Sequence, residues 1–135
     1  MAPEQKDILL KDLCARLPYG VMAKFGDSNP SKITNITQDI DSDSWFVESE
    51  GEFDVMTGEF DGMMCEINNI KPYLFPMSSM DLDQRIEYSR TLVIFDESHC
   101  SQISETYDWL NKNHFDYRDL IPKGLAINAI GLNIY

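Results

Sequence analysis

Ten carboxylates and no basic residue lie between Lys32 and Lys71: Asp39, Asp41, Asp43, Glu48, Glu50, Glu52, Asp54, Glu59, Asp61 and Glu66. Carboxylates without partners have to stay in water, so this segment must run along the surface of whatever the chain folds into. Outside it, thirteen acids stand against eleven bases, and most of the formal net charge of −12 belongs to this one stretch. Such segregation gives the folded chain a strongly negative face, which repels nucleic-acid and membrane phosphates and attracts basic surfaces.

The acidic stretch reads as a hairpin. A turn of odd length at Glu50-Gly51-Glu52 pairs Ser49 with Phe53, Val47 with Val55 and Trp45 with Thr57. That register collects Trp45, Val47, Phe53 and Val55 on one face, whereas a two-residue turn would set acids among them. Gly58 to Gly62 then makes a turn and Met63 to Ile70 a further strand. Upstream, Val21 to Phe25 reads as a strand, Gly26 to Pro30 as a turn, and Ile33, Ile36 and Ile40 mark another strand. Short antiparallel strands joined by tight turns imply a small barrel or curled sheet, with an SH3-like barrel as one form.

Helices flank this β-rich part. Pro3 to Leu17 places Leu10, Leu13, Cys14 and Leu17 at helical spacing behind a first-turn proline, and Pro18-Tyr19-Gly20 stops it. Pro72 and Pro76 break the strand pattern before a second helix, with Ser78 as a cap and Leu82 and Ile86 on one face. Thr91 to Phe95 fits a helix end or a buried strand, and its β-branching leans towards strand. Ser101 to Phe115 puts Ile103, Tyr107, Leu110 and His114 on a shared face, with a charged His114 suited to the helix C-terminus. Ala126 to Tyr135 is apolar enough to dock on the core. The expectation is one α+β domain over 1–135: a helix at 1–17, a β-rich part at 18–76, and a mainly helical region at 77–135 with an apolar tail. The chain reads without an internal repeat or low-complexity segment.

No apolar run is long enough to span a membrane, and MAPEQKDILLKDLC places charges where a signal peptide needs an apolar stretch. Cys14, Cys65 and Cys100 are odd in number and lack CxxC spacing. They read as reduced, buried and inert thiols of a cytoplasmic protein.

Chemistry is sparse. Asp39, Asp41, Asp43 and Glu50 fall at positions one, three, five and twelve of a calcium loop, with Phe46 at the apolar eighth. Ser44 occupies the place of the turn glycine, and Ile33 to Thr37 makes a poor entering helix, so an acidic turn before a strand is the favoured reading. His99 and Cys100 are adjacent and diverge, which rules them out as a nucleophile–base pair. No P-loop, nucleophile elbow or zinc-binding spacing is present, and no catalytic residue or cofactor is expected. Tyr73 and Phe75, between Pro72 and Pro76, read either as a strap or as an aromatic groove for a Pro-rich or basic peptide.

Three stretches, DLCARLPYGV (Asp12 to Val21), IKPYLFPMSSM (Ile70 to Met80) and WLNKNHFDYRDLIPKGLAI (Trp109 to Ile127), resemble a family of small uncharacterised proteins from gut Bacteroides-type bacteria and their phages or mobile elements. Asp119 departs from that pattern, standing where a glycine is expected. The resemblance implies a context of accessory proteins, binders and inhibitors, and no transferable activity.

The expected function is a non-enzymatic binding protein whose partner is a basic protein surface, with no direct nucleic-acid or membrane binding. Asp39, Asp41, Asp43, Glu48, Glu50, Glu52, Asp54, Glu59 and Asp61 form its contact face, standing in for phosphates in its sharpest form. A virion or assembly component, and more remotely a metal-dependent hydrolase using His99 or His114, are the alternatives.

Overall fold

The computed structural model describes residues 1–92 and 99–135. Helix α1 (Pro3–Arg16) begins on Pro3, whose missing N–H is not needed there, and Gln5 accepts from the Ala2 N–H at 3.2 Å. Its buried positions, Leu9, Asp12, Leu13 and Arg16, recur at three and four residues and so share one face. A 3-10 turn (Leu17–Tyr19) ends at Gly20, where φ is +72°. That left-handed geometry favours glycine and redirects the chain into the sheet.

Strands β1 (Met22–Phe25), β2 (Ser31–Gln38), β3 (Trp45–Ser49), β4 (Met64–Glu66) and β5 (Ile70–Pro76) follow. Helix α2 (Leu82–Thr91) and helix α3 (His99–Lys112) come next, then the two-residue strands β6 (Phe115–Asp116) and β7 (Ile127–Asn128). The sheet order is β4-β3-β2-β1-β5-β6, with β7 also paired to β5. Pairings among β1 to β5 are antiparallel, and the two short strands join β5 in parallel. The path does not return on itself, so the protein is α+β with an open, curled sheet rather than a closed barrel.

The main core joins Leu9 and Leu13 of α1 to Val21, Phe25, Ile33, Val47, Ile67, Ile70, Leu74 and Leu120. Each fully buried aliphatic side chain contributes about 1.5–3 kcal/mol. A second cluster gathers Met80, Leu110 and Phe115 with Tyr88 and Trp109, and fastens α2 and α3 to the far end of the sheet.

Several sequence expectations are corrected here. Val47 pairs with Cys65 and Ile36, not with Val55, so the partner of β3 after the acidic turn is β4, ten residues farther on than the short hairpin assumed. Phe53 and Val55 are 62% and 85% exposed instead of facing the core. The alternating apolar pattern was real, but 50–63 folds back on itself. β5 runs through both prolines: Pro72 is the last residue paired with β1, and Pro76 ends the strand, so neither interrupts a ladder midway. Asp81, not Ser78, caps α2, accepting from the Gln84 N–H at 2.8 Å while Gln84 accepts from the Asp81 N–H. Leu82 and Ile86 are exposed, and Tyr88 makes the packing contact instead. Cys14 is exposed and Cys65 half-buried, and the Cys100 side chain lies outside those described. Residues 93–95 of the ambiguous Thr91–Phe95 stretch lie outside the described residues, whereas Thr91 closes α2.

The tail docks on its own chain. The Tyr135 hydroxyl accepts from the Met22 N–H at 2.9 Å and donates to the Tyr73 carbonyl at 2.7 Å. Its ring lies 3.7 Å from that of His114, nearly parallel to it. His114 stands beyond the end of α3 with φ of +62°, buried beside Arg16. Burial, and then the Arg16 charge, push it down to about 4, so it is neutral and does not serve the helix dipole. An unfolded histidine takes up its proton near pH 6.5, above the folded value. Stability is therefore complete above about pH 6.5 and falls between there and pH 4, by on the order of 2–3 kcal/mol. In His114→Asn, which tolerates positive φ, denaturant midpoints measured from pH 7 to 4 should lose that component of the slope.

Asp119 has φ of +58°. Glycine, which the resemblance leads one to expect at this position, would fit there with less strain. Asp119→Gly should raise stability by about 0.5–1 kcal/mol in urea unfolding, and a loss instead would show that the carboxylate has work to do there.

Candidate functional site

The acids occupy the β2–β3–β4 end of the sheet, with β4 at its edge. Asp39, Asp41 and Asp43 lie in the β2–β3 turn, where Asp39 accepts from the Asp41 N–H at 3.2 Å and from the Ser42 hydroxyl at 2.8 Å. Glu48 projects from β3, accepting from Asn35 Nδ2 at 3.2 Å, and Glu66 stands on β4 opposite Phe46. Glu50, Glu52, Asp54, Glu59 and Asp61 follow β3 and are exposed. The two acidic loops are thus at opposite ends of a five-residue strand, about 17 Å apart along it. The result is an elongated strip. Both ion pairs among the described residues involve Asp12, so none of the ten acids has a cation of its own chain there.

This arrangement separates Glu50 from Asp39, Asp41 and Asp43, so the four calcium-loop oxygens do not converge. Among the described residues no group of three or more His, Cys, Asp or Glu side chains is placed to hold a metal ion.

Residues 50–62 form a finger outside both apolar clusters, rooted at Met63, which packs against the main core. Its neck is closed by the Ser49 N–H donating to the Met63 carbonyl at 2.7 Å and the Met63 N–H to Ser49 Oγ at 2.6 Å. A Cβ on Gly51 would collide with the Gly62 backbone, so glycine is required there, and one on Gly62 would force the Phe60 ring to move. Beyond the neck the Glu52 N–H donates to Asp61 Oδ1, the Asp61 N–H to the Glu52 carbonyl at 3.0 Å, and the Asp54 N–H to the Glu59 carbonyl at 2.7 Å. Phe53 bridges to Phe60.

The finger rests on a short repeat that the expected hairpin register concealed, against the expectation of no internal repeat: Gly-Glu-Phe-Asp occurs at 51–54 and again at 58–61. Folded antiparallel, the two copies set Glu52 opposite Asp61 and Asp54 opposite Glu59. Like charges directly opposite destabilise a strand pair by about 0.2–1 kcal/mol each. The six Glu, Phe and Asp residues line a shallow cleft of about 350 Å³. Phe53, Val55, Met56 and Phe60 are exposed, Val55 and Met56 at 85% and 94%. Sequence reasoning missed these apolar residues as surface, although the repeat was the available signal.

Tyr73 is buried, and Phe75 packs between Phe115 and Tyr135 at ring distances of 6.2 and 5.9 Å. Tyr73 thus belongs to the interior, while Phe75 is partly buried against the second cluster. A cleft of about 390 Å³ between α2, α3 and the turn after β6 is walled by Tyr88, Tyr107, Leu110 and Tyr117. Asp116 at its edge has both oxygens engaged by the Leu120 and Ile121 N–H groups. His114, one of the two alternative hydrolase histidines, stacks on Tyr135 within reach of the Arg16 charge, and the His99 side chain lies outside those described.

The three stretches of the resemblance meet one another instead of the acidic strip. Phe75 pairs with Phe115 and Tyr73 with Ile127, while Arg16 Nη2 donates to the Phe115 carbonyl at 2.6 Å. No protein-family model, curated protein or solved structure significantly matches the chain.

Proposed function

We propose that this chain is a non-enzymatic binding or accessory protein whose acidic strip engages a basic protein surface. The observation that carries the reading is the strip itself: ten carboxylates drawn out along one end of the sheet, none of them in an ion pair with a described cation. An elongated row of negative charge suits an Arg/Lys groove of the kind that accepts a nucleic-acid backbone, so the sharpest form of the reading is a phosphate mimic. The mobile-element context implied by the three sequence stretches fits an inhibitor of a host nucleic-acid enzyme. No helix among the described residues is long and apolar enough to cross a membrane.

The immobilised chain should retain proteins with basic grooves from a bacterial extract, and both salt and duplex DNA should elute them. A chain carrying Glu48→Gln, Glu50→Gln, Glu52→Gln and Asp54→Asn should retain few of them. Equal retention by that variant, or retention indifferent to salt and DNA, contradicts the proposal.

A further inference from the structure

We infer that the finger at 50–62 is the docking element of this strip, and that it fits a protein surface with an apolar pocket rimmed by arginine or lysine. The inference rests on the proposed function and adds the anatomy of the contact. Val55 and Met56 at the tip, with Phe53 behind them, are more than half exposed and belong to neither core. Large apolar side chains grouped this way on a surface mark a contact site. They are not there to stabilise the finger, which holds its shape through its neck, the Asp54 and Asp61 N–H bonds, and the Met56 N–H donating to Asp54 Oδ1 at 2.9 Å. A tip shaped before binding loses little conformational freedom on docking.

The acids decide what covers it. Glu52, Asp54, Glu59 and Asp61 collar the apolar residues, and the two like-charge pairs across the finger make no ion pair with a described cation. A second copy of this chain would bring four more carboxylates against these, and an anionic membrane would add phosphates. Only a partner with cations around an apolar recess matches both features, as in an interface with a buried apolar centre and a charged rim. The two features also have separate signatures: the collar sets the encounter rate and salt dependence, and the tip sets affinity that salt does not remove.

The test uses two 18-residue helical probe peptides of equal positive charge, one Lys/Leu amphipathic and one Lys/Ser, titrated against the full chain in 150 mM salt. The Lys/Leu peptide should bind at least tenfold more tightly, with NMR shifts confined to 50–62. Val55→Ser/Met56→Ser, which alters only exposed side chains, should abolish that preference while keeping the weak, salt-dependent binding of the Lys/Ser peptide. Equal binding of the two peptides, or a preference that survives in the tip variant, overturns the docking inference and leaves the acidic strip intact. Binding that ignores salt for both peptides sinks the proposed function as well. Tip-dependent dimerisation in light scattering, or tip-dependent binding to phosphatidylcholine vesicles, also overturns the inference by naming another occupant.

Discussion

Arg16→Met should lower unfolding stability by about 3–5 kcal/mol, the loss expected when one member of a buried ion pair is removed. Arg16 and Asp12 are both 0% exposed, one helical turn apart on α1, with Nε to Oδ2 at 2.8 Å and Nη2 to Oδ1 at 3.1 Å. The same guanidinium reaches the Phe115 carbonyl at 2.6 Å and lies 5.2 Å from the centre of the Tyr117 ring. Removing it strands the Asp12 carboxylate with only Arg118 Nε, 3.4 Å away, and leaves a buried carbonyl without its donor. Asp12→Leu/Arg16→Met should recover part of the loss, because no lone charge then remains inside. Urea unfolding of both variants checks this, and a loss below about 1 kcal/mol for Arg16→Met would mean that the pair does not hold α1 to β6.

Glu52→Gln/Glu59→Gln should move stability and binding in opposite directions. It removes one charge from each facing pair of the finger and keeps Asp54 and Asp61, whose oxygens accept from Met56 and Glu52 N–H groups. The free finger should gain about 0.5–2 kcal/mol locally, read as slower hydrogen exchange of the Asp54 and Asp61 amides. Affinity for a basic partner should fall by about tenfold or more at low salt, since encounter and rim attraction both depend on those charges. Side chains that only keep the chain soluble would give no such pairing of gain and loss.

The helix α1, the early strands and the α+β architecture were legible because period and punctuation agree there: Pro3 opens α1 and Gly20 closes it, although the buried face is Leu9, Asp12, Leu13 and Arg16 and shares only Leu13 with the expected stripe of Leu10, Leu13, Cys14 and Leu17. The acidic segment was legible in charge but not in register. Phe53 and Val55 alternate with acids just as core-facing residues would, and pattern alone does not distinguish a strand that packs from a finger that projects. Only the separation of β3 from β4, set by Met63 to Glu66 and closed at Ser49, decides it. Nothing in the α1 sequence marks Asp12 and Arg16 as buried; their burial goes with the Arg16 bond to the Phe115 carbonyl of β6, a contact between residues 99 apart. His114 was misplaced for a similar reason, since α3 ends at Lys112 and the tail from Ile127 to Tyr135 covers the histidine.

The anionic strip makes no ion pair with a described cation of its own chain, and a basic partner would neutralise it. The most direct measurement is the dissociation constant for one purified basic protein retained by the chain, taken from about 50 to 500 mM salt for the intact chain and for Glu52→Gln/Glu59→Gln. Steep weakening with salt in the intact chain, a shallower slope in the variant and convergence of the two at high salt are the predicted result. Superimposable curves, or an affinity flat across the whole range, would contradict it.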